Sequence, residues 1–131
     1  MAIGDFNPLP IISARADAAL TAFKFLKNTS SAQENLTCDL WSTGEEILGI
    51  SADAAVITGL APVATEGRGR LTVNGSGTAI VAGDYLKPVT GTGIGVKADT
   101  DKDQYGAQAL EPSTGNGDVI RVRIVQGYLS I

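Results

Sequence analysis

The 131-residue chain contains no histidine and a single cysteine, Cys38. Without histidine there is no imidazole to activate a serine or cysteine nucleophile. Zinc chemistry also loses its usual ligand set, and one cysteine makes no internal disulfide. Cys38 reads as a small buried apolar side chain with an inert thiol. Aromatic residues are scarce: one Trp, three Tyr and three Phe. That leaves little material for stacking sugars. The net charge is −4 and the sequence pI about 4.6, the wrong balance for gripping a phosphate backbone, so no nucleic-acid partner is expected. No apolar run approaches the roughly 20 residues of a membrane-spanning helix, so no membrane partner is expected. The N-terminus lacks a basic stretch followed by a long apolar one, and no secretory leader is expected. The Asn-x-Ser/Thr triplets at Asn28, Asn35 and Asn74 are then coincidences of Thr- and Ser-rich turns rather than glycan sites.

What the chain has is glycine and repetition. Its 16 glycines are nearly double average usage. They cluster between short apolar runs, as in Glu66-Gly67-Arg68-Gly69, Asn74-Gly75-Ser76-Gly77 and Gly115-Asn116-Gly117. This is the punctuation of tight turns between strands. Residues 119–125 alternate: Ile120, Val122 and Ile124 share one face, and Arg121 and Arg123 the other. Asn74-Gly75 between two apolar runs carries a hairpin signal lengthened by Ser76-Gly77. Pro88 ends the strand that starts near Tyr85, or marks it as an edge.

Residues 19–27 (ALTAFKFLK) align without a gap on residues 79–87 (AIVAGDYLK), at an offset of 60 (79 − 19). Residues 47–52 align on 104–109 at an offset of 57 (104 − 47). Repeats of about 19–66 and 78–127 follow, each a β unit. Residues 13–27 are Ala-rich with some helical spacing, but the partner copy contains the turn Ala82-Gly83-Asp84. The repeat therefore favours turn then strand over 19–27. The fold class is all-β: a small barrel or sandwich of tulip-like form built from two related repeats, with a jelly roll as the alternative. The expected organisation is an extended N-terminal arm over residues 1–18 and one β domain over 19–131. Pro8 and Pro10 hold the arm extended. Its side chains Ile3, Phe6, Leu9, Ile11 and Ile12 are too apolar to stand alone, so they either fold back on the body or lie on a partner.

Patterns that resemble chemistry fail on spacing. Asp99, Asp101 and Asp103 alternate as at the start of a calcium loop, but Gln104 stands where that loop needs glycine and Lys102 sits inside the cage. A solvated turn is the reading. Gly91-x-Gly93-x-Gly95 misses the dinucleotide fingerprint and reads as a hairpin loop, so no cofactor is expected. Glu45 and Glu46 are adjacent and point to opposite faces of a strand. Arg68 and Arg70 form a basic spot in a turn, available to an acidic partner surface. Trp41 is either core or an interface anchor.

The second copy resembles a known family. Thr78-Ala-Ile-Val-Ala-Gly-Asp-Tyr-Leu-Lys-Pro88, Tyr105-Gly-Ala-Gln-Ala-Leu-Glu111 and Gly117-Asp-Val-Ile-Arg-Val122 look like the capsid decoration, or cement, proteins of tailed bacteriophages. The first copy departs from this pattern, with Ala22-Phe23-Lys24 in place of Ala-Gly-Asp. The resemblance implies a non-enzymatic virion protein, made in the host cytoplasm, that binds the outer surface of the capsid and stabilises the shell. It implies two partners: the major capsid protein of the same virus and further copies of the chain, as a homotrimer. The arm and the 119–125 strand would supply the pairing, with Arg68, Arg70 and Trp41 as further contacts. The alternative is another virion-associated or extracellular β binding module of fibre, tail or carbohydrate-binding type.

Overall fold

The computed structural model describes residues 11–29, 36–56 and 59–131, and these fold entirely as strands, turns and loops. Five strands make a first closed barrel: β1 (Ile11–Ala16), β2 (Phe25–Asn28), β3 (Thr37–Leu40), β4 (Ile47–Ser51) and β5 (Leu60–Ala64), in the order β1-β3-β2-β4-β5. Five more make a second: β6 (Gly67–Asn74), β7 (Tyr85–Pro88), β8 (Gly95–Lys97), β9 (Gln104–Ala109) and β10 (Asn116–Tyr128), in the order β10-β6-β8-β7-β9. The two orders are the same topology. In each barrel the first strand runs parallel to the third, and the other pairings are antiparallel.

The repeat read from sequence maps onto this duplication. Phe25, at the start of β2, and Tyr85, at the start of β7, are the same position at the offset of 60. Ile47 and Gln104 open β4 and β9 at the offset of 57. The copies are therefore two barrels. The expected all-β body built from two related repeats is what forms, with each repeat closing into its own barrel.

Five strands enclose a narrow interior, which only small or slim side chains fill. Ala14, Ala16, Ala61, Leu26, Val63 and Cys38 meet that demand in the first barrel. In the second, Leu71, Val73, Leu86, Ala107, Ala109, Ile120, Val122 and Ile124 do so. The second core does not stop at its own wall, because Phe25, Trp41, Ile47, Ile50 and Ala64 of the first barrel belong to the same cluster.

Phe25 is the knob of this joint. A Cβ on Gly95 would lie 3.4 Å from the Phe25 ring, and one on Gly106 only 2.6 Å from it. The two glycines open a hole that the ring fills. Main-chain bonds clamp the joint: Phe25 N–H to Gly93 C=O at 2.8 Å, Gly91 N–H to Trp41 C=O at 3.0 Å, and Thr72 N–H to Phe23 C=O at 2.8 Å.

Several sequence expectations are corrected here. The arm does not extend to residue 18: Ile11–Ala16 is strand β1, paired on both sides with β5 and β3. Alternation places Ala14 and Ala16 inside the barrel, a signal masked by the prolines before it. Residues 74–77 are not a hairpin. Asn74 Oδ1 accepts from Ser76 N–H at 3.0 Å and from Ser76 Oγ at 2.7 Å. The chain then crosses to bridge Ile80 to Ser113 instead of returning along β6. The 119–125 strand lies within β10 and keeps its alternation, but it pairs with β6 on one side and β9 on the other. From Val122 to Ile124 it is paired on both sides and offers no free edge to a partner, since closure of the barrel removes edges. Pro88 ends β7. The Gly91–Gly95 loop is the β7–β8 hairpin connection, and it docks against the first barrel through Gly91 and Gly93.

Cys38 is fully buried inside the first barrel. Its thiol is pushed up from 9.0 to about 11, by burial first and then by the charges of Asp17 and Asp39. A raised acid holds its proton in the folded state, so this contribution to stability is complete below pH 9 and is lost as pH rises from 9 to 11. Native protein should resist iodoacetamide at pH 8, and denatured protein should take up one adduct. Rapid labelling of the native chain would contradict the burial.

Candidate functional site

The residues singled out from sequence divide into three groups. Ile3, Phe6 and Leu9 lie outside the described residues. Ile11 and Ile12 begin β1 and remain 50% and 36% exposed, an apolar pair on the surface of the first barrel. Trp41 is withdrawn from the contact set. It is only 8% exposed, packs in the joint between the barrels, and donates from Nε1 to Glu45 C=O at 2.8 Å. Its place in the first copy, away from the strand alternation, gave no sign of which face it covers.

Arg68 and Arg70 stand on a strand, not in a turn. Both are exposed on β6, and register places Arg70 opposite Arg121 and Arg68 opposite Arg123 on β10. Directly opposed residues on one face have Cβ atoms roughly 5 Å apart. Four of the five arginines of a net-acidic chain therefore form a two-by-two ladder on one sheet face.

Two members have local partners. Glu111 accepts from the Arg121 backbone N–H at 2.7 Å and from its Nε at 3.1 Å. The backbone bond first, then the guanidinium, holds the Glu111 carboxyl below its ordinary 4.5. Arg123 donates to Gln108 Oε1 at 2.6 Å. No ion pair to Arg68 or Arg70 forms among the described residues.

The ladder borders a groove between the barrels. A cavity of about 330 Å³ has Arg68, Arg70 and Arg121 on its charged side, and Phe23, Ile50 and Ala64 on its apolar side. A second hollow of about 220 Å³ shares Arg70 and Arg121 with it and is also lined by Glu111 and Val119. Phe23 occupies the left-handed region, at φ 66°, where the second copy has Gly83 at φ 100°. Its N–H donates to Ser51 C=O at 2.7 Å and its C=O accepts from Thr72 N–H, so the backbone is fixed from both barrels. Buried Ser51 completes the turn, accepting from Lys24 N–H at 3.0 Å and donating to Thr21 C=O at 2.8 Å. A bulky residue at positive φ costs on the order of 1–3 kcal/mol, and such strain concentrates at binding sites.

Sequence reasoning missed Phe23, Arg121 and Arg123 as members of one site. The available signal was the pair of Arg-x-Arg strands at 68–70 and 121–123. What it lacked was the register that sets them face to face.

The aspartate-rich turn is closed by its own groups. Asp103 Oδ2 accepts from Lys87 Nζ at 2.9 Å, Thr100 N–H at 3.0 Å and Asp99 N–H at 3.2 Å. Burial opposes ionisation of Asp103, yet these bonds together hold its carboxyl below 3.8. Asp101 Oδ1 accepts from the Ile131 N–H at 3.1 Å, tying down the last residue.

No family model matches this chain, and no curated protein is similar to it. Among solved structures it is similar to the N base of head fiber gp8.5 in bacteriophage phi29, with a TM-score of 0.66 and 18% identity. The match covers 94% of this chain and 99% of that one. At this identity the likeness is one of fold.

Proposed function

We propose that this chain is a structural protein of a phage particle that binds the outer surface of the head. There it acts as a decoration or cement protein and performs no catalysis. The observation that carries the reading is the likeness of fold, which covers 94% of this chain and 99% of the N base of a phage head fiber. The cement-like cadence of the second copy supports it independently. The proposed partner is the major capsid protein, engaged by a homotrimer of this chain. Three copies held together make three contacts at once, and each bound contact raises the effective concentration of the next. Exposed Ile11 and Ile12, with the apolar residues 3, 6 and 9 before them, are the proposed shell contacts.

Incubation with purified empty shells tests this. Trimeric protein should co-sediment with them at micromolar concentration, and shells so coated should resist a higher temperature. Removing residues 1–10 leaves β1 intact and should weaken binding by roughly 100-fold, the scale of lost multivalent engagement. A monomer that leaves shells unbound would overturn the reading, and unchanged affinity after truncation would remove the arm from it. The solved neighbour favours a second reading, in which the chain is the shell-bound base of a fibre. On that reading the chain should co-sediment with shells and leave their heat resistance unchanged.

A further inference from the structure

The Arg68–Arg70–Arg121–Arg123 ladder is not needed to hold the barrels together. The arginines lie outside the core, and like charges directly opposite across a strand pair are unfavourable. Phe23 adds a second cost, a bulky side chain held at φ 66° where its repeat counterpart is glycine. Both features border the same cavity. Two unfavourable arrangements converge on one groove, and each is relieved or used when a ligand with negative charge and apolar bulk enters.

We propose that this groove binds an acidic, extended polypeptide segment of another protein, with carboxylates at alternate residues and an apolar side chain between or beside them. Alternate residues of an extended chain lie on one face about 6.5–7 Å apart. Arg68 and Arg70 have that spacing on β6, as do Arg121 and Arg123 on β10. Guanidinium groups take carboxylates in paired hydrogen bonds. The apolar residue seats against Phe23, Ile50 and Ala64. Glu111 pairs with Arg121 and its charge also acts on Arg70, which leaves Arg68 as the principal anchor and Arg70 beside it.

The occupant is foreign rather than a second copy, because the alternate carboxylates of this chain, Asp99, Asp101 and Asp103, lie in a turn rather than an extended segment, and Asp101 and Asp103 are held there by the Ile131 N–H and Lys87. Asp84 faces Lys97 and the Val81 N–H, Asp103 faces Lys87, Asp118 holds Ser113 and Gly115, and Glu111 holds Arg121. A nucleic-acid strand is disfavoured by the net charge of −4, which repels a polyanion beyond the four arginines. The inference stands on groove geometry and does not depend on the capsid reading.

The test uses the full chain and a fluorescein-labelled peptide, Gly-Glu-Leu-Glu-Val-Glu-Gly. Its Gln counterpart, an oligothymidine of similar length and the sedimentation behaviour of the protein alone serve as comparisons. The Glu peptide should bind at least about tenfold more tightly than the Gln peptide, and more weakly as salt rises. R68Q/R70Q should lose that preference with a melting temperature no lower than wild type, since both side chains are exposed and their removal relieves the opposed like charges. Equal binding of the two peptides would overturn the proposal. So would tighter binding of oligothymidine, or a variant whose only change is in oligomeric state. Shell co-sedimentation separates this inference from the proposed function. Peptide binding without shell binding leaves the groove and removes the capsid role, and the reverse outcome removes the groove.

Discussion

Phe25→Ala should separate the two barrels energetically and lower stability by about 3–5 kcal/mol, the usual cost of emptying a buried phenylalanine site. The ring is fully buried and fills the hole made by Gly95 and Gly106 across the joint. Small domains have only about 5–15 kcal/mol in total. The midpoint of thermal unfolding should therefore fall by roughly 10–25 °C. The loss should also divide the transition. Wild-type protein should unfold in one step because one cluster spans both barrels, whereas the variant should show two, the first barrel melting before the second. Calorimetry distinguishes these cases. A single transition shifted by less than a degree would mean that the Phe25 contact does not couple the barrels.

Gly106→Val attacks the same joint from the other side. A Cβ there meets the Phe25 ring at 2.6 Å and Ile47 at 3.0 and 3.2 Å, so even one methyl has no room. Overpacking of this kind costs about 1–3 kcal/mol. The informative experiment is the pair. Combined with Phe25→Ala, the valine enters space that the ring has left, and the double variant should be more stable than the sum of the two losses predicts. Contacting residues commonly couple by about 0.5–3 kcal/mol. Strict additivity would show that Phe25 and Gly106 are not knob and hole.

The duplicated strands were legible because they are local. Residues 19–27 and 79–87 share alanines at 19/79 and 22/82 and an aromatic-Leu-Lys ending, and the structure starts β2 and β7 at that ending. The alternation of Ile120, Val122 and Ile124 likewise survives into β10. What sequence did not carry is long-range register. Arg70 and Arg121 are 51 positions apart (121 − 70), and nothing local says that they face each other. The same limit hid the separation into two barrels, because closure depends on which strand meets which. Trp41 and Phe25 lie in the first copy, yet their burial comes from the second. Asn74-Gly75 misled for a related reason. Its local turn chemistry is real, but no room exists for a returning strand, because β6 is already flanked by β8 and β10.

The departure of the first copy from the second acquires a physical meaning. At the shared turn the second copy has Gly83, the residue suited to positive φ, and the first has Phe23 under strain. At the start of the next strand the second copy has Tyr85 stacked on Tyr105 at a centroid distance of 4.3 Å, and the first has Phe25 driven into its neighbour. The first copy has given up regular turn chemistry for two jobs, a joint and a groove wall. Phe23→Gly should accordingly fold well, with the strain relieved, while weakening whatever the groove binds.

The most direct measurement is the composition of purified virus particles. Quantitative mass spectrometry should find this chain in them at a fixed copy ratio to the major shell protein, retained through washing and lost on treatments that strip the outer surface. Particles that lack the chain, or carry it at a ratio that varies between preparations, would contradict a role as a structural protein of the head.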